Sequence, residues 1–197
     1  MDIRLLHKGH IIFDIGNVLL RFDPEKALEA FAPKDMQQAF LKHVVQSPEW
    51  QELDRGTLTY EQAAKSVCRH EALKGEEQNV LNFLYNFPKL KNELPAIKAV
   101  STLKQMGKKL YVLSNYHDPA FRYVYAKYPF FKLFDGLCIS CYHKLLKPEK
   151  AFYELLIKQN NIPVEDAVFI DDMQVNVQAA EELGITGIHY KGDIDFE

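Results

Sequence analysis

A single carboxylate, Asp14, interrupts the apolar run "IIFDIGNVLL" near the start of the chain. An ionised carboxylate among apolar residues is costly unless it is paired, hydrogen-bonded or bound to a metal ion. Other polar residues that could act with it follow later apolar runs or precede a proline: Ser114-Asn115 after "LYVL", Lys147 in "LLKPEKAF", and Asp171-Asp172 after "AVFI". An acid, a hydroxyl, a cation and a second acidic pair form a set that suits phosphoryl transfer.

These residue types match what the hydrolysis of a phosphate ester requires. The ester is anionic and repels an attacking carboxylate, so a divalent cation must bridge the two. Mg²⁺ takes oxygen ligands and keeps several waters, and two acids with a backbone carbonyl can hold it. Lys147 and Ser114 can bind the phosphoryl oxygens, and attack by Asp14 leaves an aspartyl-phosphate that water hydrolyses.

Each of these residues also has an ordinary structural role. Asp14 can cap a turn, Asp171-Asp172 can cap a helix, and Lys147 can be a solvated lysine in the first turn of a helix. Their order along the chain, each at the end of an apolar run or beside the start of a helix, favours one shared site over separate roles.

The elements that must position these residues alternate along the chain. Amphipathic helical patterns separate short apolar runs, which predict strands over residues 11–15, 110–113, 137–139, 167–170 and 187–190. Strands that alternate with helices predict right-handed crossovers and a doubly wound, parallel α/β sheet. Because the carboxyl ends of parallel strands lie at one edge of the sheet, the polar residues should converge there.

Residues 23–87 interrupt this alternation, because their patterns are helical. Thr59 and Gln62, for example, have the spacing of a capping box ahead of apolar residues at helical intervals. The sequence therefore predicts an α/β core over 1–22 and 88–197, with an all-helical cap over 23–87. A cap inserted after the first strand would cover the carboxyl edge of the sheet.

Composition narrows the class of protein. The chain has 197 residues, of which 47% are hydrophobic and 26% charged, and its net charge is −3. These values are typical of a globular protein and do not favour a nucleic acid partner. There is neither an apolar run of about 18 residues nor the pattern of a secretion signal, so no membrane partner is predicted. The odd number of cysteines, three, does not suggest a disulfide framework, and the predicted location is the cytoplasm.

Cys138 and Cys141 form a C-x-x-C pattern within "GLCISCY", which has the composition of a strand. Residues three apart on a strand point to opposite faces, and a zinc site needs about four ligands. We therefore expect two buried, apolar cysteines rather than a metal or redox site.

The order of Asp14, "LSN", "KPE" and "FIDD" resembles that of the haloacid dehalogenase-like hydrolase superfamily, from residue 11 to about residue 190. More narrowly, "FDIGNVLLRFD", "KPEKAFY" and "FIDDMQVNVQAAEELGIT" resemble the branch that contains bacterial α-glucose-1-phosphate phosphatases. The resemblance implies a Rossmann-like core with an inserted helical cap. It also implies a Mg²⁺-dependent phosphatase that acts on small phosphorylated metabolites, with sugar phosphates the first expectation.

The resemblance further implies a role for each matching residue. Three residues hold Mg²⁺: Asp14, which is also the nucleophile, Gly16 through its backbone carbonyl, and Asp172. Three bind the phosphoryl group: Ser114, Asn115 and Lys147, the last of which also takes part in catalysis. Two support the metal site from outside: Asp171 by ordering a metal-bound water, and Asn176 by orienting the acidic pair.

One position departs from the family pattern. Most phosphatases of this superfamily carry a second aspartate two residues after the nucleophile, where this chain has Gly16. That aspartate protonates the leaving group and activates water, and such catalysis is worth about 10² to 10⁴ in rate. Either the leaving group needs little help, as the anomeric oxygen of a sugar 1-phosphate would, or another acid substitutes: His117, Asp118 or Asp54.

Three interpretations of the function follow. A phosphatase with an undemanding leaving group or a different proton donor is the leading one. A dehalogenase would share Asp14 but needs no Mg²⁺, so the pair Asp171-Asp172 counts against it. A phosphate-binding or regulatory protein without turnover stays open because of Gly16. Residues of the cap that could contact the leaving group are Trp50, Arg55 and the turn at Gly56.

Overall fold

The computed structural model describes residues 2–192, and at its centre lies a sheet of five strands: β1 (His10–Phe13), β2 (Lys109–Ser114), β3 (Gly136–Ile139), β4 (Ala167–Asp171) and β5 (Thr186–His189). The strands lie in the order β3-β2-β1-β4-β5, and every neighbouring pair is parallel. All the predicted strands are confirmed. Because the chain runs from β1 to one side of the sheet and later returns to the other, the strand order reverses between β1 and β4.

The described residues also form eleven α-helices: α1 (Ile3–His7), α2 (Pro24–Phe31), α3 (Gln37–Phe40), α4 (Pro48–Arg55), α5 (Tyr60–Val67), α6 (Glu77–Asn86), α7 (Ala96–Gln105), α8 (Asp118–Lys127), α9 (Ser140–His143), α10 (Lys150–Asn160) and α11 (Gln174–Glu181). Shorter helical elements are a π-helix over Leu41–Val45 and 3₁₀ turns over Glu71–Leu73, Phe87–Leu90, Pro129–Leu133 and Val164–Asp166. Within residues 2–192, none of the helices combines the length and the apolar character that crossing a bilayer requires.

Helices cover both faces of the sheet, which confirms the predicted doubly wound arrangement. Successive strand residues point to opposite faces. Ile11 and Phe13 of β1 accordingly belong to one apolar cluster together with Val100 of α7. Ile12 belongs to a second cluster, which contains Phe152 of α10. Because both faces are buried, the strands are continuous apolar runs whose polar residues stand at the ends.

The segment from α2 to the 3₁₀ turn Phe87–Leu90 contains helices and no strand. Helix α2 begins at Pro24, and the side chain of Asp23 accepts a hydrogen bond from the backbone N of Lys26 at 3.0 Å. Thr59 and Gln62 form the expected capping box through reciprocal hydrogen bonds of 3.2 and 2.9 Å. The domain boundaries given for the cap stay a prediction.

Two local expectations were wrong. The sequence pattern places Lys147 and Pro148 at the start of a helix, but α10 begins at Lys150, and both residues lie in a turn that closes from the carbonyl of Leu146 to the N of Glu149 at 2.8 Å. The strand expected over "GLCISCY" ends at Ile139, and the next residues form α9.

The expectation of buried, apolar cysteines is confirmed. Cys138 and Cys141 are free and buried, and they lie in different apolar clusters. Cys141 lies on α9, next to Ser140, whose Oγ accepts a hydrogen bond from the N of Tyr116 at 2.9 Å.

Candidate active site

The predicted site residues meet at the carboxyl edge of the sheet, between β1 and β4, where the strand order reverses. In open α/β sheets this crevice is where ligands bind. A cavity of about 240 Å³ opens there, and six of the predicted residues line it: Asp14, Gly16, Asn115, Lys147, Asp172 and Asn176. Ser114 and Asp171 are almost fully buried beside Asp14 and Lys147 and do not line the cavity.

Lys147 links two of the acids. Its Nζ lies 2.7 Å from Oδ1 of Asp14 and 2.6 Å from Oδ2 of Asp171, and only 2% of its side chain is exposed. Burial alone would lower the pKa of Lys147, but the two carboxylates raise it, and the net shift is upward. Burial raises the pKa of Asp14 to about 6, although the charge of Lys147 opposes that shift. Lys147 therefore stays charged and holds the carboxylate of Asp14 in place.

Asp171 accepts hydrogen bonds from the protein at both of its oxygens. Oδ1 accepts from the backbone N of Met173 at 2.8 Å and from Nδ2 of Asn176 at 3.0 Å, while Oδ2 accepts from Lys147. A carboxylate engaged in this way orients its partners. Asp171 thus fixes Lys147 against Asp14, and Asn176 fixes Asp171.

The carboxylates of Asp14, Asp171 and Asp172 each offer an oxygen within 4.8 Å of the others. Oxygen donors at this spacing fit a small, hard divalent cation such as Mg²⁺. Because both oxygens of Asp171 are engaged by the protein, we expect Asp14 and Asp172 to be the acids that contact the ion. Gly16 lines the same cavity, where its carbonyl could serve as a further ligand.

Asn17 supports Asp172, a role that sequence reasoning missed. Its Nδ2 donates to Oδ2 of Asp172 at 3.0 Å, and its Oδ1 accepts from the N of Phe22 at 2.9 Å. Burial raises the pKa of Asp172, and the hydrogen bond from Asn17 opposes the shift. The sequence signal for Asn17 was its place after Gly16, a pair typical of turns. In the structure Asn17 has a φ of 52°, a left-handed conformation that asparagine tolerates.

The two residues at the end of β2 differ in their surroundings. The side chain of Asn115 is bound to the backbone of Lys147, because Nδ2 donates to its carbonyl at 3.1 Å and Oδ1 accepts from its N at 2.8 Å. Asn115 therefore positions Lys147. The Oγ of Ser114 is buried beside the carboxylate of Asp14, whose pKa the hydroxyl helps to lower. The binding of Ser114 and of Asn115 to the phosphoryl group stays a prediction.

The other half of the cavity comes from the helical segment and from the loop after β2, and it contains Phe22, Trp50, Asp54, Phe87, Lys91, Tyr116 and His117. Lys91, which sequence reasoning also missed, is 5% exposed and places Nζ 3.9 Å from the ring centroid of Phe22. Burial lowers the pKa of Lys91 to about 7, although Asp14 and Asp54 oppose the shift. No local pattern around Lys91 signals a site, because its partners come from distant parts of the chain.

Asp54 and His117 form a buried pair in this half of the cavity. Oδ1 of Asp54 lies 3.4 Å from Nε2 of His117, whose side chain is 2% exposed. Burial raises the pKa of Asp54 to about 8, while Lys91 opposes and Asp14 adds to the shift. Burial and the charge of Lys91 lower the pKa of His117 to about 3. At neutral pH the pair therefore consists of a neutral imidazole and a carboxyl group that holds a proton.

Three residues suggested by the sequence do not line the cavity. Asp118 is bound to Arg122 at 2.8 Å on the surface of α8, because it faces outward from the first turn of that helix. Arg55 pairs with Glu149 at 2.5 Å. Gly56 packs against the backbone of Cys141, where a Cβ would lie 2.3 Å from the carbonyl oxygen. Arg55 and Gly56 therefore join the helical segment to the core instead of contacting a leaving group.

The stability of an Asp54→Asn variant should rise relative to that of the wild-type protein as the pH increases from about 5 to about 8 in the absence of metal. A carboxyl group whose pKa rises from 3.8 to about 8 on folding contributes stability that is complete below pH 3.8 and lost as the pH passes 8. Asparagine does not titrate, so the difference should change by on the order of 1 kcal/mol per pH unit. Denaturant unfolding with a chelator measures it, with Asp118→Asn as the control. A difference that does not vary with pH would contradict the prediction.

Comparisons with known proteins agree with this geometry. A family model for haloacid dehalogenase-like hydrolases matches residues 9–184. Drimenol cyclase from Aspergillus calidoustus is 28% identical over 93% of this chain, but the chain spans only 34% of that protein. A sesquiterpene phosphatase from Aspergillus oryzae is 27% identical, over 90% of this chain and 87% of its own length. D-ribitol-5-phosphate phosphatase from Bacteroides thetaiotaomicron is 25% identical, over 89% and 88%.

Solved structures support the fold. The crystal structure of a HAD family enzyme from Bacteroides thetaiotaomicron, in complex with magnesium and inorganic phosphate, has a TM-score of 0.76 to this chain. The two are 21% identical, and the match covers 95% of this chain and 96% of the other. The predicted α/β architecture is therefore shared along almost the whole chain.

Proposed function

The chain belongs to the haloacid dehalogenase-like hydrolase family, whose model spans residues 9–184, and from this premise we propose that it is a Mg²⁺-dependent phosphatase acting on small phosphorylated metabolites. The observation that carries the proposal is the carboxylate of Asp14, held 2.7 Å from the Nζ of Lys147 among three clustered acids. Two relatives that match most of the chain are named as phosphatases, which supports the same reaction class.

Asp14 is the proposed nucleophile. Lys147 binds its Oδ1, and Oδ2 faces the open space beside Gly16. Attack on phosphorus forms the bond to Asp14 while the bond from phosphorus to the leaving oxygen breaks. Water then attacks the aspartyl-phosphate, which releases inorganic phosphate and restores the carboxylate.

Lys147 and Ser114 are proposed to hold the phosphoryl group. The ammonium of Lys147 supplies positive charge at a buried position that Asp171 and Asn115 fix. The hydroxyl of Ser114, buried beside Asp14, can donate to a phosphoryl oxygen. When bound by Asp14 and Asp172, Mg²⁺ would neutralise the charge that the phosphoryl group and its attacker bring together.

The size and lining of the cavity support a small substrate. A cavity of about 240 Å³ beneath a helical segment accommodates one small ester. Sugar or polyol phosphates are the first substrates we propose, because Asp54, Lys91 and His117 offer polar contacts to hydroxyl groups. The rings of Phe22, Trp50 and Phe87, which also line the cavity, favour prenyl monophosphates as a second candidate.

A chelator is expected to lower turnover by about 10²-fold or more, and added Mg²⁺ should restore it. The test uses 4-nitrophenyl phosphate with glucose 1-phosphate, glucose 6-phosphate, ribitol 5-phosphate and farnesyl monophosphate. Asp172→Asn should need at least about tenfold more Mg²⁺ for half-maximal turnover, because it removes one ligand. The control Asp118→Asn should respond as the wild type does. Turnover that is insensitive to the chelator would overturn the Mg²⁺-dependent mechanism.

A further inference from the structure

Position 16 offers no side chain that could give a proton to a leaving group. A Cβ built on Gly16 would have a single neighbouring atom within 4 Å, Oδ2 of Asp14 at 3.8 Å. This contact is ordinary, so the space that an acid would occupy beside the nucleophile is open. If the reaction uses a proton donor, that donor must come from another wall of the cavity.

We propose that Asp54, near the C-terminal end of α4, is the acid and base of the reaction and reaches it from the helical segment. The inference rests on the proposed phosphatase function. Asp54 lines the same cavity as Asp14 and Lys147. Its side chain is 17% exposed and forms part of the wall of that cavity.

Contacts from three successive residues, two through the backbone and one through a side chain, fix the segment around Asp54 to the core. The carbonyl of Asp54 accepts a hydrogen bond from Oγ of Ser140 at 2.5 Å. Arg55 pairs with Glu149 at 2.5 Å, and the carbonyl of Gly56 accepts from Lys144. An acid that must reach the leaving oxygen needs such a fixed position, because general acid catalysis requires hydrogen-bond distance to the reacting atom.

Asp54 carries a proton when the substrate arrives. Its burial raises the pKa to about 8, and the adjacent His117 stays neutral because its own pKa is lowered to about 3. The titratable groups that interact electrostatically with Asp54 come from every surrounding element. Three charged groups act on its pKa: Asp14 after β1, Lys91 after the 3₁₀ turn Phe87–Leu90, and Lys147. The others are Tyr60 on α5, Tyr116 and His117 after β2, and Cys141 on α9.

The proton balance closes over two steps. As Asp14 bonds to phosphorus and the ester bond breaks, the proton of Asp54 passes to the leaving oxygen. The product leaves as a neutral alcohol, and Asp54 is now a carboxylate. It takes a proton from the water that attacks phosphorus, the bond between phosphorus and Asp14 breaks, and inorganic phosphate departs.

Other polar residues of the cavity fit this role less well. His117 holds no additional proton at neutral pH, so it has none to give to a leaving group. The Nζ of Lys91 faces three aromatic rings, of Phe22, Phe87 and Tyr116, at 3.9, 5.8 and 5.8 Å. Because burial lowers its pKa to about 7, Lys91 can also release a proton near neutral pH, and the test below treats it as the competing donor.

The test compares two esters of similar shape, 4-nitrophenyl phosphate and phenyl phosphate. Nitrophenolate is a good leaving group without protonation, whereas the more basic phenolate needs a proton from an acid in order to leave. Asp54→Asn should lower kcat/KM for phenyl phosphate by about 10² to 10⁴ and that for 4-nitrophenyl phosphate by less than about tenfold. This ratio reports only the step that expels the leaving group. A burst of nitrophenolate should precede slow turnover, because the variant also lacks the base for the second step.

A second variant and a pH profile make the test independent of folding. Adding Gly16→Asp to Asp54→Asn should recover activity on phenyl phosphate, because an acid then occupies the open space beside Asp14. In the wild type, kcat/KM for phenyl phosphate should fall as the pH rises through about 8, and Asp54→Asn should abolish this limb. Asp118→Asn, the matched control, should change neither ester.

Each alternative outcome is decisive. Equal losses on both esters, or no loss on phenyl phosphate, would overturn the role of Asp54. A selective loss on phenyl phosphate in Lys91→Met but not in Asp54→Asn would assign the proton to Lys91. If the wild type releases no nitrophenolate in a manner that depends on Asp14, the proposed function itself fails, and the inference fails with it.

Discussion

Replacement of Asp14 by asparagine is expected to abolish turnover of 4-nitrophenyl phosphate, with a loss of about 10⁴-fold or more, in a protein that remains folded. Asparagine has the shape of aspartate but cannot form the aspartyl-phosphate. The fold should tolerate the change, because Lys147 keeps its second carboxylate partner, Asp171, at 2.6 Å. Steady-state release of nitrophenolate with saturating Mg²⁺ measures the loss.

The stability of this variant provides the control. Burial and the nearby charge of Asp171 raise the pKa of Asp14. At neutral pH the charged form of Asp14 therefore lowers the free energy of unfolding of the metal-free protein. Asp14→Asn should therefore melt at the same temperature as the wild type or higher when metal is removed. A variant that retained more than about a hundredth of the activity would remove Asp14 from the mechanism. A variant that melted much earlier would assign Asp14 a structural role.

Replacement of Lys147 by methionine is expected to be the most destabilising of the changes considered, costing about 3 to 5 kcal/mol at neutral pH. Methionine nearly matches the length of lysine but leaves the carboxylates of Asp14 and Asp171 buried without the cation between them. Their oxygens lie 2.7 and 2.6 Å from Nζ in the wild type. The free energy of unfolding, measured in denaturant with a chelator, tests the prediction.

The dependence on pH and on metal separates this effect from a simple packing defect. Without Lys147 the pKa of Asp14 should rise further, because the positive charge of Lys147 opposes the effect of burial on that pKa. The cost should therefore shrink as the pH falls toward 4. Mg²⁺ should raise the melting temperature of the variant more than that of the wild type, because it restores positive charge. Lys150→Met, on an exposed pair with Glu154, should cost less than about 1 kcal/mol.

The catalytic proposals draw on two parts of the chain with different physical origins. Asp14 and Asp172 follow directly on β1 and β4, where the parallel sheet brings them together, and Lys147 reaches them from the turn between α9 and α10. Asp54 and Lys91 come from the helical segment and the connection after it. Their burial is what shifts their pKa values, and that burial arises from packing between distant segments.

Local patterns were enough to predict the sheet and the residues at its edge. A strand buried on both faces must be apolar along its length, so a polar residue at its end is conspicuous. This reasoning identified Asp14, Ser114 and Asp171-Asp172, and parallel topology implied that they share one edge. The capping box at Thr59 could also be predicted from the sequence, because its two hydrogen bonds join residues three apart.

The predictions from local sequence patterns that were wrong share a physical cause. The start of α10 at Lys150 and the short helix α9 at Cys141 depend on turns and on contacts that the local pattern does not contain. Asp118 looked equivalent to Asp54 in the sequence. Only the folded chain shows that one faces solvent and pairs with Arg122, whereas the other faces the cavity.

The sequence by itself determined the α/β architecture, the helical character of the inserted segment and the set of acids around Asp14, because strand burial, capping and helical spacing are local. The tertiary structure decided that Asp171 holds Lys147, that Asn17 supports Asp172, and which of the candidate acids lines the same cavity as Gly16. The physical reason is that a side chain's partners, its burial and hence its protonation state depend on segments far away in the chain. In the pair of Asp54 and His117, 3.4 Å apart, those segments meet.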